Sequence, residues 1–256
     1  MDRVLVVGCS FLDIGAQEPL PPWDKINYKK YNIIGQTAAG NVAIAARVRY
    51  ELSKQHYDHV VIVWSGINRV DIEKAKHQYD EMPQGYPHVI DLGDMFWFLS
   101  GGMCGSWNEN CPEPVKSQFN NAFRDLTSLR ATDITMEAVV NTQRFLTERN
   151  ISYTMSFIYD IHQDYNSVID IFGNRSPRKT FLDRWPNWLA LEHCLGQVDT
   201  ASIWYDQVDW TKFPAKENPY EYCVERNLLR SDNFHPTKEG LKQWFSYQMD
   251  IYLTDS

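Results

Sequence analysis

The stretch RVLVVGCSF, residues 3–11, determines how the rest of the sequence is interpreted. Residues 3–8 form a short run rich in β-branched side chains that ends on a glycine, which predicts a buried strand followed by a turn. HVVIVW at 59–64 is a second continuous apolar run and predicts another buried strand, and ISYTMSFIY at 151–159 predicts a third strand. Directly after the first strand stand a cysteine and a serine, so the strand presents two groups with nucleophilic chemistry at its carboxyl end.

Helical spacing of apolar residues alternates with these strands. It is found from residue 41, over 115–130, over 135–149 and over 237–253. Strands alternating with helices predict an α/β fold with a mostly parallel sheet covered on both faces. Between these elements the sequence predicts a loop at 16–34, a helical turn or lid element at 71–79 and a short fourth strand at 200–205. We expect a single domain spanning 1–256, with loop insertions at about 93–114 and 160–198.

Composition excludes several classes of protein. The chain carries a net charge of −8, and nucleic-acid binding requires clustered Lys and Arg. Neither a membrane span nor a signal peptide is predicted, because no apolar run has the necessary length. We therefore expect no nucleic-acid or membrane partner and a cytoplasmic or virion-associated location, and we leave the oligomeric state open. Aromatic residues make up 14% of the chain, with nine Trp, which is high; such residues fill a bulky core, the interpretation we favour, or line the loops around a cleft.

Polar residues that follow the predicted strands are candidates for chemistry, because ligands of open parallel sheets bind outside the carboxyl ends of the strands. Ser10 follows the first strand and Asn68 follows the second. A serine nucleophile needs a base, and the base needs a partner that fixes its tautomer. His235 and Asp232, three residues apart before the last helix, are suited to these two roles. The Ser10 amide, an amide in the turn at 35–40 and the Asn68 side chain are candidate oxyanion donors.

Four short blocks in this order resemble the SGNH, or GDSL-like, hydrolases. They are GCSF at 8–11, GQTAAGN at 35–41, GIN at 66–68 and DNFHPT at 232–237. The resemblance implies a three-layer α/β/α sandwich with a mostly parallel, flavodoxin-like sheet. Three positions depart from the usual family pattern, since Cys9 stands in place of Asp, Phe11 in place of Leu, and Arg69 in place of an acidic residue. The GCSF opening resembles SGNH-like proteins of phages and marine bacteria.

The resemblance also implies roles for individual residues. Ser10 is expected to be the nucleophile, Asp232 and His235 complete the triad, and Asn68 is an oxyanion donor with the Ser10 amide. The second block supplies a glycine amide, for which we favour Gly40 over Gly35. Apart from the resemblance, Phe11, Asp13 and Arg69 are candidate substrate contacts, and for Arg69 an ion pair with a nearby carboxylate is the preferred alternative.

These roles predict a serine esterase that acts through an acyl-enzyme and requires no cofactor or metal. Trp and Tyr faces stack on sugar rings, so O-acetyl groups on carbohydrate are the preferred substrate. Two alternatives stay open: a catalytically silent SGNH-fold module that binds a partner or forms part of a virion, and an acyltransferase that uses the same residues. Nucleotide binding has less support, because G-x-G-x-x-G is missing after the first strand.

Cys9 is the competing nucleophile to Ser10. A thiolate is intrinsically the stronger reagent, but adjacent side chains at the end of a strand point in different directions. The distant partners at positions 68, 232 and 235 suit the family in which the residue at position 10 reacts. Cys9 is therefore predicted to be a small buried residue.

Overall fold

The computed structural model describes residues 3–9, 12, 31–36, 38–67, 69–79, 88–99, 111–124, 126–162, 198–214, 217–229 and 236–254, without the side chains of 31 and 248–254. In chain order the elements are β1 (Val4–Cys9), β2 (Tyr31–Gln36), α1 (Asn41–Lys54), β3 (His59–Trp64), β4 (Asp71–Ala75), β5 (Val89–Leu92), β6 (Met95–Leu99), α2 (Glu113–Arg124), α3 (Ser128–Glu148), β7 (Ser152–Phe157), α4 (Pro219–Glu225) and α5 (Lys238–Thr254). In this part of the chain no helix combines the length and apolar character that a membrane crossing requires.

The main sheet consists of four parallel strands in the order β2-β1-β3-β7. Every residue of β1 and of β3 is buried, as expected when both faces of a parallel sheet are covered. Counted along the chain, the strand order is 2-1-3-4, which is the order of flavodoxin-like sheets. The predicted α/β class and the mostly parallel sheet are thus confirmed, and the carboxyl ends of β1 and β3 flank the point where the strand order reverses.

Helices cover this sheet through apolar contacts. α1 packs against α3, and α4 packs against α5. Thr127 caps α3 by accepting a hydrogen bond from the Arg130 amide at 3.2 Å. On α5 the indole of Trp244 is fully buried and donates to the Glu217 carbonyl at 3.0 Å. α5 is thereby fixed to the segment that precedes α4.

A second, antiparallel sheet has the order β4-β6-β5. Gly93 and Asp94 join β5 to β6 in a two-residue loop, and Gly93 has φ +71°, a conformation that favours glycine. The sheet has its own small apolar cluster, in which aromatic side chains of β6 pack against α2. The buried members of that cluster are Phe96, Phe98, Cys111, Val115 and Phe119.

Several sequence-based expectations are corrected by these elements. β2 lies partly in the predicted loop, the predicted lid at 71–79 is β4 with a short 3-10 turn, and the predicted loop at 93–114 contains β6. The predicted helix over 115–130 is in fact α2 and the first turn of α3, because residues 126–127 interrupt it. Residues 200–205 form turns instead of a strand. Within the two predicted insertions, residues 100–110 and 163–197 lie outside the described part of the chain.

Candidate functional site

The carboxyl end of β1 turns back on itself directly after the strand. The Leu12 amide donates to the Cys9 carbonyl at 2.9 Å, and the Leu12 side chain is buried. A Cβ on Gly8 would come within 2.7 Å of the Leu12 side chain and 2.8 Å of the Val63 carbonyl. Glycine is therefore required at position 8 because Leu12 and the neighbouring strand approach its Cα closely.

Cys9 is fully buried, which agrees with its prediction as a small buried residue. None of the three predicted triad residues belongs to the described part of the chain, and neither do the other predicted residues of the first block. Ser10, Phe11, Asp13, Asn68, Asp232 and His235 lie outside the described residues, and their roles stay predictions. The structure does describe the segments on either side of them.

The turn after β3 is held by the side chain of Asn41, the first residue of α1. Asn41 Oδ1 accepts from the Ser65 amide at 2.7 Å, and Asn41 Nδ2 donates to the Ser65 carbonyl at 3.3 Å and the Gly66 carbonyl at 3.4 Å. Thr135 of α3 takes part as well, since its Oγ1 accepts from Asn41 Nδ2 at 3.1 Å and lies 3.4 Å from the Ile67 carbonyl. The second and third motif blocks are therefore in direct contact.

The same turn is attached to the end of β7. The Ile158 amide donates to the Trp64 carbonyl at 2.9 Å. A Cβ on Gly66 would lie 2.5 Å from the buried Tyr159 hydroxyl, so the close packing of the tyrosine requires glycine there. The carboxyl ends of β3 and β7 thus form one packed unit.

The predicted oxyanion glycine, Gly40, has a different partner in this structure. Its amide donates to Asp71 Oδ1 at 2.9 Å, and Asp71 Oδ2 accepts from the Ala43 amide at 2.9 Å. Asp71 therefore caps α1 from the neighbouring strand β4, where a carboxylate also complements the helix macrodipole. A Cβ on Gly40 would lie 2.6 Å from Asp71 Oδ2 and 2.9 Å from Arg69 Cβ. Packing against Asp71 and Arg69 accounts for this glycine without any substrate.

Burial of the carboxylate dominates the electrostatics of Asp71. It raises the pKa of Asp71 to about 6, although the amides of Ala43 and Gly40 and the charge of Arg69 act in the opposite direction. The carboxyl group is thus mainly ionised at neutral pH and takes up a proton in mildly acidic solution.

Arg69, predicted to contact substrate, is partly exposed and connects two loops of this edge. Its Nη1 donates to the Ala39 carbonyl at 3.0 Å, and its charge favours the ionised form of Asp71. The expected role in substrate binding stays a prediction, but the guanidinium has a structural partner already.

The segment that contains the fourth block is bounded by a pair of contacts between described residues. Leu229 and Pro236 form an isolated antiparallel bridge, and the Thr237 amide donates to the Leu228 carbonyl at 2.6 Å. The residues between them include the predicted Asp232 and His235. These contacts are connected to the main sheet through α4, since the amide of Tyr220 donates to the carbonyl of Ile158, the residue after β7.

Aromatic side chains gather immediately after β7. His162 Nε2 lies 2.8 Å from the Tyr205 hydroxyl, and the rings of His162 and Trp210 have centroids 5.3 Å apart. The ring of Trp210 also contacts the ring of Phe213. Phe213 in turn stacks on Phe157, the last residue of β7, with 5.5 Å between the ring centroids. His162 is exposed, whereas Tyr205 and Trp210 are partly exposed. The rings of His162, Tyr205 and Trp210 are therefore at least partly accessible at the surface.

Two residues of this site, Asn41 and Asp71, were not singled out from the sequence. Asn41 is the last residue of the second motif block, and this position could have indicated a role at the site. Asp71 lies in a short charged segment that gives no local indication of contact with α1.

Among the described residues no three His, Cys, Asp or Glu side chains converge as a metal site would require. Comparison with known proteins finds no family model and no curated protein that matches the chain.

Proposed function

We propose that this chain is a serine hydrolase of the SGNH type that cleaves a carboxylic ester. The observation that carries the proposal is the position of its motif blocks. Cys9 ends β1, Asn41 begins α1 and Ser65 follows β3, all at the carboxyl edge of the sheet. For this strand order the reversal point between β1 and β3 is where α/β proteins bind ligands. In this proposal the sheet and its helices form the three-layer sandwich of the family.

The proposed reaction proceeds through an acyl-enzyme. Ser10 Oγ bonds to the ester carbonyl carbon while His235, oriented by Asp232, takes the hydroxyl proton. The C–O bond of the ester then breaks, and His235 returns the proton to the leaving alcohol. Water, activated by His235, attacks the acyl-enzyme in the same manner and releases the acid and free Ser10. The Ser10 amide and the Asn68 side chain donate to the oxyanion in both steps.

A glycine amide of the second block is the third proposed oxyanion donor. Because the Gly40 amide donates to Asp71, it is available to an oxyanion only when Asp71 releases it. We therefore favour Gly35, the alternative within the same block. In the register of β1 and β2, Gly35 on β2 pairs with Gly8 on β1. Gly8 precedes Ser10 by two residues in the sequence.

O-acetylated carbohydrate is the proposed substrate class. The support is the aromatic group formed by His162, Tyr205 and Trp210 after β7, because such rings combine an apolar face with a polar tip. A panel of acetylated sugars and short acyl esters tests this choice. Transfer of the acyl group to a sugar acceptor uses the same residues and is distinguished by product analysis with and without the acceptor.

Replacing the two neighbouring reactive residues separately tests the function. We expect wild-type protein to hydrolyse p-nitrophenyl acetate and to be labelled by a fluorophosphonate. Ser10→Ala should lower kcat/KM by about 10³-fold or more and abolish labelling. Cys9→Ala, the matched control at the adjacent position, should retain activity within a few fold. Wild-type rates in Ser10→Ala, or a label on Cys9, would contradict the proposed nucleophile.

A silent SGNH-fold module, as a binding or virion component, is the second candidate. The observation that favours it is the occupied Gly40 amide, which leaves the expected oxyanion donor engaged by the protein itself. Folded wild-type protein that neither hydrolyses the ester panel nor reacts with the fluorophosphonate would support this candidate over the esterase.

A further inference from the structure

We infer that Asn41 is a positioning residue that holds the turn after β3 and, through it, the oxyanion donor Asn68. The inference rests on the proposed function, in which Asn68 donates to the oxyanion, and assigns a role to a side chain that takes no part in bond making. Its basis is a set of hydrogen bonds between described residues.

The Asn41 side chain pairs with the backbone of Ser65 as a neighbouring strand would. Its Oδ1 accepts from the Ser65 amide at 2.7 Å, and its Nδ2 faces the Ser65 carbonyl at 3.3 Å. Ser65 is the first residue beyond β3, where strand pairing ends. Asn41 is 2% exposed, so these bonds are made in the protein interior, where an unpaired amide would be costly.

The next two residues are held from the same place. The Gly66 carbonyl lies 3.4 Å from Asn41 Nδ2, and the Ile67 carbonyl lies 3.4 Å from Thr135 Oγ1, which itself accepts from Asn41 at 3.1 Å. The carbonyl groups of three consecutive residues, 65 to 67, are thus bound by Asn41 and Thr135. The residue that follows them is Asn68.

Asn41 is itself fixed, because α1 is anchored at its first turn. Asp71 accepts from the amides of Gly40 and Ala43, on either side of Asn41 in the chain. A donor that stabilises a developing oxyanion must be placed to within about 0.5 Å. Loss of the Asn41 contacts should therefore displace Asn68 and weaken stabilisation of the transition state, while substrate binding in the ground state changes little.

The test compares Asn41→Asp, Thr135→Val and His59→Ala. Asn41→Asp keeps the acceptor for the Ser65 amide, removes the donors to the carbonyls, and suits the first turn of a helix. Thr135→Val removes the hydroxyl with little change of shape and covers the case in which Asn41→Asp fails to fold. His59→Ala removes a buried side chain at the opposite end of β3 and serves as the stability control.

With p-nitrophenyl acetate, Asn41→Asp should lower kcat by about 10- to 100-fold and leave KM within about threefold. Thr135→Val should act in the same direction and more weakly, and the double variant should lose less than the two single losses combined. His59→Ala should lower the melting temperature at unchanged kcat. Folded Asn41→Asp or Thr135→Val with wild-type kcat would overturn the inference.

Hydrogen exchange separates this inference from the proposed function. Amides of residues 65–69 should exchange faster in Asn41→Asp and Thr135→Val than in wild type or His59→Ala. If wild-type protein shows neither hydrolysis nor labelling, the esterase fails, yet faster exchange in the two variants still supports the positioning of the turn. Unchanged exchange at 65–69 overturns the inference whatever the activity.

Discussion

The polar groups at the two ends of β3 have hydrogen-bond partners of different kinds. At the amino end, His59 Nδ1 lies 3.0 Å from Ser152 Oγ and Nε2 lies 3.1 Å from Thr154 Oγ1, both on the adjacent strand β7. At the carboxyl end, the backbone of Ser65 is bound by Asn41, which comes from a helix and also contacts Thr135 on another helix. The first arrangement joins two paired strands, and the second joins three elements.

Strand pairing explains the difference. His59 and Ser152 are partners in the register of β3 and β7, so their side chains meet wherever the two strands pair. The turn after β3 lies beyond the paired residues, and its backbone is bound by side chains from α1 and α3 in addition to its contact with the end of β7. Polar groups there are also incompletely satisfied, since the Ser65 hydroxyl and the Trp64 indole N–H are buried without a partner in the described part of the protein. The amino end is therefore joined to its paired strand, whereas the turn at the carboxyl end is bound by side chains from two helices.

The largest effect that we predict concerns His59, at the amino end of β3, and is a loss of protein stability in acid. Burial, assisted by the charge of Lys212, lowers the pKa of His59 from 6.5 to about 4. Between these values the unfolded chain binds a proton that the folded protein does not, so stability is lost as pH falls from 6.5 to 4. The loss attributable to His59 is about 3 kcal/mol at most. His59→Gln should reduce this pH dependence in urea unfolding at pH 7 and pH 4.5.

Ser152→Ala is the matched control for that measurement. It removes one hydrogen bond and leaves the imidazole buried, so the protein should become less stable while its pH dependence persists. A His59→Gln protein with the wild-type dependence on pH would show that the acid sensitivity arises elsewhere.

A smaller loss of stability is expected at the carboxyl end from Gly40→Ala. The new Cβ would lie 2.6 Å from Asp71 Oδ2, and such overpacking costs roughly 1–3 kcal/mol. In an Asp71→Ala background the cost should be smaller, because the clashing carboxylate is gone, and a double-mutant cycle in urea measures the difference. If Gly40 served substrate approach alone, Gly40→Ala would unfold like wild type and lose activity without losing stability.

The smallest effect is expected from Asp71→Asn. The contribution of Asp71 to stability changes with pH in the opposite direction to that of His59. Because burial raises the pKa of Asp71 to about 6, the folded protein keeps a proton that the unfolded chain has released, and stability from this group falls as pH rises from about 4 to 6. The amides of Ala43 and Gly40 and the charge of Arg69 favour the ionised form and so limit the size of the effect. Asp71→Asn should remove this contribution in urea unfolding across that range. A steeper loss toward pH 6 in the variant than in wild type would contradict the assignment.

How far the fold could be predicted depended on burial along each strand. The predicted bounds of β3 are correct and those of β1 are within one residue, because both strands are fully buried runs rich in β-branched side chains. β7 lies within two residues of its prediction, although its first residue is exposed. β2 escaped prediction because it is an edge strand whose described side chains are all partly exposed. The mixed aromatic, Gly, Asn and Pro content of residues 93–114 predicts a loop where β6 lies, although Gly93 and Asp94 between two apolar runs are a hairpin signal.

The α/β class and the ends of the buried strands follow from the sequence alone, because periodicity and β-branched runs are local properties of the chain. Tertiary structure decided which groups meet at those ends. Asn41 contacts Ser65 across 24 residues and Thr135 across 94, and the Gly40 amide is bound by Asp71 across 31. No local pattern encodes such contacts, since they arise when crossover connections bring distant segments to one edge of the sheet. For this reason the sequence gives no sign that the Gly40 amide, whose role as an oxyanion donor stays a prediction, donates to Asp71.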